Sequence, residues 1–107
     1  MSSMRFAVVT PHGRLDASRA PALEQELKQQ LTQGNRDVVV DLSDTTYISS
    51  NGLRVLLAGL RACQADGGTL RLCCLNARLM DIFEMVGFDQ IFEIFEDRET
   101  AETAFQP

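Results

Sequence analysis

The sequence predicts an α/β domain with a mostly parallel or mixed sheet of four or five strands and about four helices. Short apolar runs rich in β-branched residues alternate with longer segments whose apolar residues recur at helical spacing. Glycines follow the ends of most helical segments. The composition, 45% hydrophobic and 23% charged, is that of a globular protein, and 107 residues can bury a core without metal or disulfides. We therefore expect a single domain over residues 1–107.

The N-terminal third of the chain is predicted to form one strand and one helix. The run over residues 5–10 is the strand, and residues 13–16 close this segment. Ser18 is the predicted N-cap of the helix, and Pro21 is tolerated because it falls in the first turn. The helix is expected to end at Gly34. Its buried face is predicted to carry Ala20, Leu23, Leu27 and Leu31.

The rest of the chain continues the alternation. Further strands are expected over residues 37–42, 69–75 and 91–95, and further helices over residues 50–65 and after the caps Asn76 and Asp97. The strand over 69–75 is apolar on both faces except for Arg71, which favours a central place in a covered sheet. The helix after Asn76 is predicted to bury Leu79, Ile82, Phe83 and Val86.

The stretch from Asp41 to Leu53 is the most informative about function. It reads as a strand end, a tight polar loop with Ser49 and Ser50, and a helix start. Asn51-Gly52 is also a hairpin signal, but the apolar residues after it recur at helical spacing and exclude a hairpin. A helix start has unpaired N–H groups and a positive dipole end, which suit a plain serine cap or a phosphate carried on a serine.

Crossover helices between strands imply parallel pairing, and loops after parallel strands gather at one edge of a sheet. The loops over residues 14–18 and 47–52 are therefore predicted to lie at the same edge, side by side. This topology does not by itself make Asp16 a neighbour of Ser50.

Charge and hydropathy exclude several function classes. The net charge of −5 argues against nucleic acid or an anionic membrane as a partner. No signal-peptide core is present and no apolar run approaches the roughly 18 residues that span a bilayer, so we expect a cytoplasmic protein. The segment after residue 80 contains eight acidic residues and one basic residue, Arg98. This segment is either a solvated acidic end of the chain or a surface for a basic partner.

The cysteines and the lone histidine argue against a metal centre and against catalysis. Cys73 and Cys74 are adjacent on a predicted strand and should point to opposite faces, so we expect buried thiols without a disulfide. No Cys/His cluster exists, and we expect neither metal nor cofactor. The G-x-S-x-G pattern is absent, and His12 precedes the serines, opposite to the hydrolase order, so we do not expect an enzyme.

The segment VVVDLSDTTYISSNGLRVLL resembles the signature of the STAS domain in bacterial anti-sigma factor antagonists. GRLDAS, GGTLRLCCLN and FEMVGFDQIFEIFEDRETA match in the same order, so the resemblance covers nearly all of the chain from Gly13. It implies a small STAS-like sandwich and a regulator that acts by partner switching. In that family the unphosphorylated antagonist binds an anti-sigma factor that is also a serine kinase, which releases the sigma factor. Phosphorylation ends the binding, and a serine phosphatase reverses it.

On the family pattern the phosphorylated serine is Ser50, with Ser49 as the second choice. The family often has aspartate where Ser49 stands, and Ser, Thr or Ala where Asn51 stands. The resemblance implies a partner-binding surface made of Asp16, Tyr47, Ser49, Ser50, Asn51, Gly52 and Arg54.

Other roles remain open for several of these residues. Arg54 either reaches a phosphate on Ser50, four residues earlier, or lies on a solvated helix face. Asp16 either accepts N–H bonds of its own loop or lies beside the acceptor serine, and Gly52 is expected to provide backbone room. The alternative function is a STAS scaffold or interaction module that phosphorylation does not regulate.

Overall fold

A parallel four-stranded sheet lies at the centre of the molecule, in a computed structural model that describes residues 6–105. The strands are β1 Ala7–Val9, β2 Gly13–Leu15, β3 Asp37–Asp41, β4 Thr45–Ile48, β5 Thr69–Cys73 and β6 Ile94–Phe95. The helices are α1 Ala20–Thr32, α2 Ser50–Ala65, α3 Ala77–Met85, a 3-10 helix Phe88–Gln90 and α4 Arg98–Thr103.

The central sheet has the order β1-β3-β5-β6, with every neighbouring pair parallel. β3 and β5 are its inner strands, paired from Asp37 opposite Thr69 to Asp41 opposite Cys73. The predicted α/β class, the mostly parallel or mixed sheet of four or five strands and the central place of β5 are thus confirmed, with four strands in the sheet and all of them parallel. No helix among residues 6–105 combines the length and the apolarity that crossing a bilayer requires.

The two faces of the central sheet are covered differently. α1, α2 and α3 pack on one face, where the buried strand residues of the central sheet are Ala7, Val9, Val38, Val40, Leu70 and Leu72. The other face, which carries Val39 and Cys73, is covered by α4 through Ala101 and by Phe105. On this second face the Arg71 guanidinium carbon lies 4.1 Å from the centre of the Phe105 ring, so a cation–π contact adds to the apolar packing there.

The structure corrects the prediction for the N-terminal segment. β1 is shorter than the predicted strand over residues 5–10, of which Arg5 lies outside the described residues. The residues expected only to close this segment form β2. Ser18 as the cap of α1 is wrong, because Arg19 precedes the helix without a side-chain cap bond. The Asp16 carboxylate instead accepts the backbone N–H groups of Ser18 at 3.1 Å and Arg19 at 3.3 Å.

β4 lies where the sequence predicted only a tight polar loop. It pairs in parallel with β2 as a separate two-stranded sheet. Thr45 is buried at the start of β4, and its hydroxyl donates to the carbonyl of Pro11 at 3.0 Å. The partner strand lies about thirty residues earlier, so local sequence pattern carries little information on this pairing.

The predicted caps in the C-terminal third are confirmed, but two other expectations are not. Asn76 accepts the N–H of Leu79 at 2.8 Å, and Asp97 accepts that of Thr100 at 2.7 Å. Val86 was predicted to face inward and is about half exposed, because α3 ends at Met85 and a left-handed glycine turn follows. The strand predicted over residues 91–95 shrinks to β6, since the 3-10 helix turns the chain before it.

Candidate functional site

β2 and β4 bring the two predicted loops together. Leu15 lies opposite Ile48 in the parallel register, and the N–H of Ser49 donates to the carbonyl of Leu15 at 2.9 Å. The loops that leave these strands, before α1 and at the start of α2, therefore lie side by side, as the topology predicted. The pairing that joins them is the small sheet that the sequence did not predict.

Ser49 and Ser50 have different surroundings. Ser49 is the N-cap of α2, with extended backbone angles, and its hydroxyl accepts the N–H of Gly52 at 3.4 Å. The same hydroxyl donates to the carbonyl of Leu15 at 3.1 Å and is partly buried. Ser50 is the first residue of the helix and is exposed. The cap and the exposed hydroxyl thus belong to two different residues.

Gly52 lets the start of α2 approach β2 closely. A Cβ atom at this position would lie 2.7 Å from Ile48 Cγ1 and 2.8 Å from the carbonyl oxygen of Leu15. Carbon atoms do not approach a backbone oxygen this closely without a shift of the chain. The expectation that Gly52 provides backbone room is confirmed, and the close approach fixes Ser49 and Ser50 relative to the neighbouring loop.

Arg54 and Asn51 form a side-chain pair on the exposed face of the first turns of α2. The guanidinium of Arg54 donates to Oδ1 of Asn51. The pair also lines a groove of about 180 Å³ between the starts of α1 and α2. The remaining lining residues of this groove are Ala17, Ala20, Pro21, Glu24 and Val55. The Arg54 guanidinium is therefore held against Asn51, the residue that follows Ser50 in the first turn of α2.

Asp16 and Tyr47 each have a partner within the small sheet and its loops. The Asp16 carboxylate accepts the Ser18 hydroxyl at 2.7 Å, and this bond is the main cause that lowers the pKa of Asp16 below 3.8. Its interactions are those of a loop cap. The ring of Tyr47 lies under the guanidinium of Arg14, 4.4 Å from its centre. Sequence reasoning missed Arg14, because its position depends on the unpredicted pairing of β2 with β4.

A hydrolase triad is not assembled around Ser50 in the described part of the chain. Nδ1 of His12 lies 3.0 Å from a carboxylate oxygen of Asp44, and both side chains are largely exposed. These two residues precede β2 and β4, whereas Ser49 follows β4, so the pair and the serines lie at opposite ends of the small sheet.

Asp41, Cys73 and Cys74 form a polar cluster at the carboxyl edge of the central sheet. The prediction that the two thiols point to opposite faces is wrong, because Cys74 follows the end of β5 with a φ of 67°. One atom from each of the three side chains lies within 4.8 Å of the others. Burial is the main cause that raises the pKa of both thiols, and Arg98 lies 3.8 Å from the Asp41 carboxylate. The contact between Asp41 and Arg98 attaches α4 to the sheet. Protonated thiols and a carboxylate that already has partners are poor metal ligands.

The fold and the signature segment together define a protein class. The family model that describes the STAS domain matches residues 3–101, and the chain therefore belongs to the STAS domain family. The predicted resemblance is confirmed. Among its relatives, BtrV of Bordetella bronchiseptica, named as an anti-sigma factor antagonist, is 40% identical over 94 residues, which cover 88% of this chain and 81% of BtrV.

Solved structures share the fold. The crystal structure of a Thermotoga maritima protein named as an anti-sigma factor antagonist has a TM-score of 0.87 at 21% identity, covering 94% of this chain and 86% of that one. The Bacillus protein SpoIIAA has been solved in its phosphorylated form, with a TM-score of 0.74 at 17% identity over 99% of this chain and 96% of that one. At these identities the likeness establishes the fold.

Proposed function

We propose that this protein is an anti-sigma factor antagonist that works by partner switching. The unmodified chain binds an anti-sigma factor that is also a serine kinase, and the sigma factor is released. Phosphorylation of Ser50 ends this binding, and a serine phosphatase restores it. The main support for the proposal is the difference between the two serines at the start of α2. Ser49 is the hydrogen-bonded N-cap, whereas Ser50 is exposed.

The hydrogen bonds of Ser49 favour Ser50 as the acceptor. To enter a kinase active site, the Ser49 hydroxyl would have to leave the carbonyl of Leu15 and the N–H of Gly52. Loss of an N-cap of this kind costs about 1 kcal/mol, before any cost of unwinding the turn. Ser50 reaches solvent without breaking either bond, so its hydroxyl can approach the γ-phosphate of ATP with the fold intact. The kinase supplies the nucleotide, and no cofactor of this chain is required.

A phosphate on Ser50 would oppose binding by its charge. It adds about −1.5 to −2 charges at pH 7 on an exposed surface. The N-terminal end of α2 tolerates this charge, because the helix dipole and the free N–H groups favour an anion there. A partner surface shaped for a hydroxyl must desolvate the phosphate. A loss of about 3 kcal/mol weakens binding more than a hundredfold.

The partner surface in this proposal is centred on Ser50. It includes the neighbouring residues of both loops and of the first turns of α2, namely Asp16, Tyr47, Ser49, Asn51, Gly52 and Arg54. Exposed charged groups such as Arg54 would act mainly on association and specificity, while the close contacts around Gly52 keep the surface rigid.

Phosphosite mapping tests the proposal. The kinase is captured from the native cell with a Ser50→Ala bait, identified by mass spectrometry and purified. Incubated with ATP, it should phosphorylate the parent chain and the Ser49→Ala variant on Ser50, and it should leave Ser50→Ala unmodified. Phosphate found only on Ser49, or on neither serine, would overturn the assignment.

A further inference from the structure

Arg54, the cationic residue in the first turns of α2, is hydrogen-bonded to a neutral side chain, Asn51. The Arg54 guanidinium donates to the amide oxygen of Asn51; Arg54 is exposed and Asn51 is partly buried. Among the ion pairs of the described residues, none involves Arg54. Within residues 6–105 its charge therefore has no ion-pair partner.

Ser50 is the residue next to Asn51 and lies four positions before Arg54. Residues four apart on a helix are neighbours on its surface, and helical side chains lean toward the N-terminal end. A guanidinium that reaches Asn51 is thus already in the turn that carries Ser50. Charge-assisted hydrogen bonds are roughly twice as strong as neutral ones, so a phosphate oxygen is a better acceptor than an amide oxygen.

We propose that Asn51 positions the guanidinium of Arg54 in the first turn of α2. When Ser50 is phosphorylated, a phosphate oxygen replaces the Asn51 amide oxygen as the hydrogen-bond acceptor of this guanidinium. Asn51 and Arg54 are positioning residues of the modified state, and this inference rests on the proposed function of Ser50. The exchange folds the phosphate back against α2. It also gives a role to Asn51, whose amide reaches farther than the Ser, Thr or Ala that the family resemblance leads us to expect at this position.

Two acids oppose the phosphate from neighbouring elements. Glu24 of α1 lines the same groove as Arg54, and Asp16 lies in the loop beside the start of α2. Both would raise the second pKa of a phosphate, whereas Arg54 would lower it. Substitutions at position 54 isolate the effect of the arginine on the phosphate pKa, because Glu24 and Asp16 are unchanged in every variant.

The test uses the full chain with phosphoserine encoded genetically at position 50. A 31P NMR titration at low salt gives the second pKa of the phosphate, which is about 6 for free phosphoserine. We expect this pKa to be lower in the parent than in Arg54→Gln by roughly 0.3–0.7, the scale of an exposed ion pair. Arg54→Lys should keep part of the shift. Arg61→Gln, a matched change two turns farther along the same helix, should leave the pKa unchanged.

Asn51 is tested through the NMR signal of the Arg54 Nε–H group. Asn51→Ala should move this signal in the unmodified protein and leave it in place once Ser50 carries phosphate. Equal phosphate pKa values in the parent and Arg54→Gln, with both folded by circular dichroism, would overturn the proposal. So would an Arg54 signal that still responds to Asn51→Ala in the phosphorylated chain. Since the phosphate is installed without a kinase, neither result depends on whether a kinase recognises Ser50.

Discussion

At the residue scale, two adjacent serines with the same hydroxyl differ in what surrounds them. Ser49 satisfies a free N–H of α2 and a carbonyl of β2, while Ser50 faces solvent. Ser49→Ala should lower the free energy of unfolding by about 1 kcal/mol, the usual value of a serine N-cap. Ser50→Ala should stay within about 0.5 kcal/mol of the parent, as is typical of surface substitutions. Urea unfolding measures both. A larger decrease in the free energy of unfolding for Ser50→Ala than for Ser49→Ala would contradict the assignment of Ser49 as the helix cap.

Gly52 and Gly59 both lie in α2 but differ in what a side chain would meet. At Gly52 the added Cβ meets the backbone oxygen of Leu15, whereas at Gly59 it meets only the ends of side chains, Cδ1 of Leu27 at 2.9 Å and Cδ1 of Leu70 at 3.2 Å. Alanine is favoured over glycine in a helix by about 1 kcal/mol. Overpacking against a fixed group costs about 1–3 kcal/mol. Gly52→Ala should therefore destabilise the protein, and Gly59→Ala should be close to neutral in urea unfolding. Equal effects at the two glycines would contradict this account of the contact.

At the element scale, the Asp41 cluster ties α4 to the carboxyl edge of the sheet. Burial would raise the pKa of Asp41, but hydrogen bonds from Ser43 and from the Cys74 thiol, together with the charge of Arg98, lower it below 3.8. Arg98 also forms an ion pair with Glu102 inside α4, at 3.0 Å. A short helix thus covers one sheet face with the help of polar bonds at its first turn.

The lowered pKa of Asp41 gives a pH prediction. Because the folded-state pKa lies below the unfolded value, ionised Asp41 stabilises the fold above that value, and the contribution disappears as pH falls through the folded pKa. The difference in unfolding free energy between the parent and Asp41→Asn should be constant above pH about 5 and should narrow at lower pH. Urea titrations from pH 7 to pH 3 measure it. A difference in unfolding free energy that widens as pH falls would contradict the lowered pKa of Asp41 in the folded protein.

Elements with a local signal could be predicted from the sequence, and those that need a distant partner could not. α2 and the caps Asn76 and Asp97 follow from spacing and polar residues within one turn, and the structure has them as predicted. β2 and β4 stabilise one another across about thirty residues, and this pairing carries the contact between the two loops of the site. The identity of the cap likewise depends on the carbonyl of Leu15, which no local pattern reveals.

At the scale of the whole molecule, the candidate site is a local surface on a rigid support. The start of α2 is held by the cap, by the close approach at Gly52 and by the paired strands beneath it. A charge added at Ser50 should change the surface that a partner meets, with little rearrangement of the fold. The proposed regulation is therefore a change in binding free energy at constant structure.

Charge variants at position 50 separate regulated binding from a scaffold role. Ser50→Ala keeps a small neutral surface and should bind the kinase at least as tightly as the unmodified parent. Ser50→Asp adds one negative charge, part of that of a phosphate, and should bind more weakly. Surface plasmon resonance with the purified kinase measures both, with Ser49→Ala as the control for altered cap stability. Equal affinities of the alanine and aspartate variants would favour the scaffold alternative.

The most direct measurement compares one chain in two states. Isothermal titration calorimetry of the purified anti-sigma factor kinase, without ATP, is carried out with the unmodified chain and with the chain that carries phosphoserine at position 50. We predict a dissociation constant more than a hundredfold higher for the phosphorylated chain, a loss of about 3 kcal/mol, restored by treatment with a phosphatase. Dissociation constants within about twofold of each other, a difference below about 0.5 kcal/mol, would contradict the proposal that phosphorylation of Ser50 switches the partner.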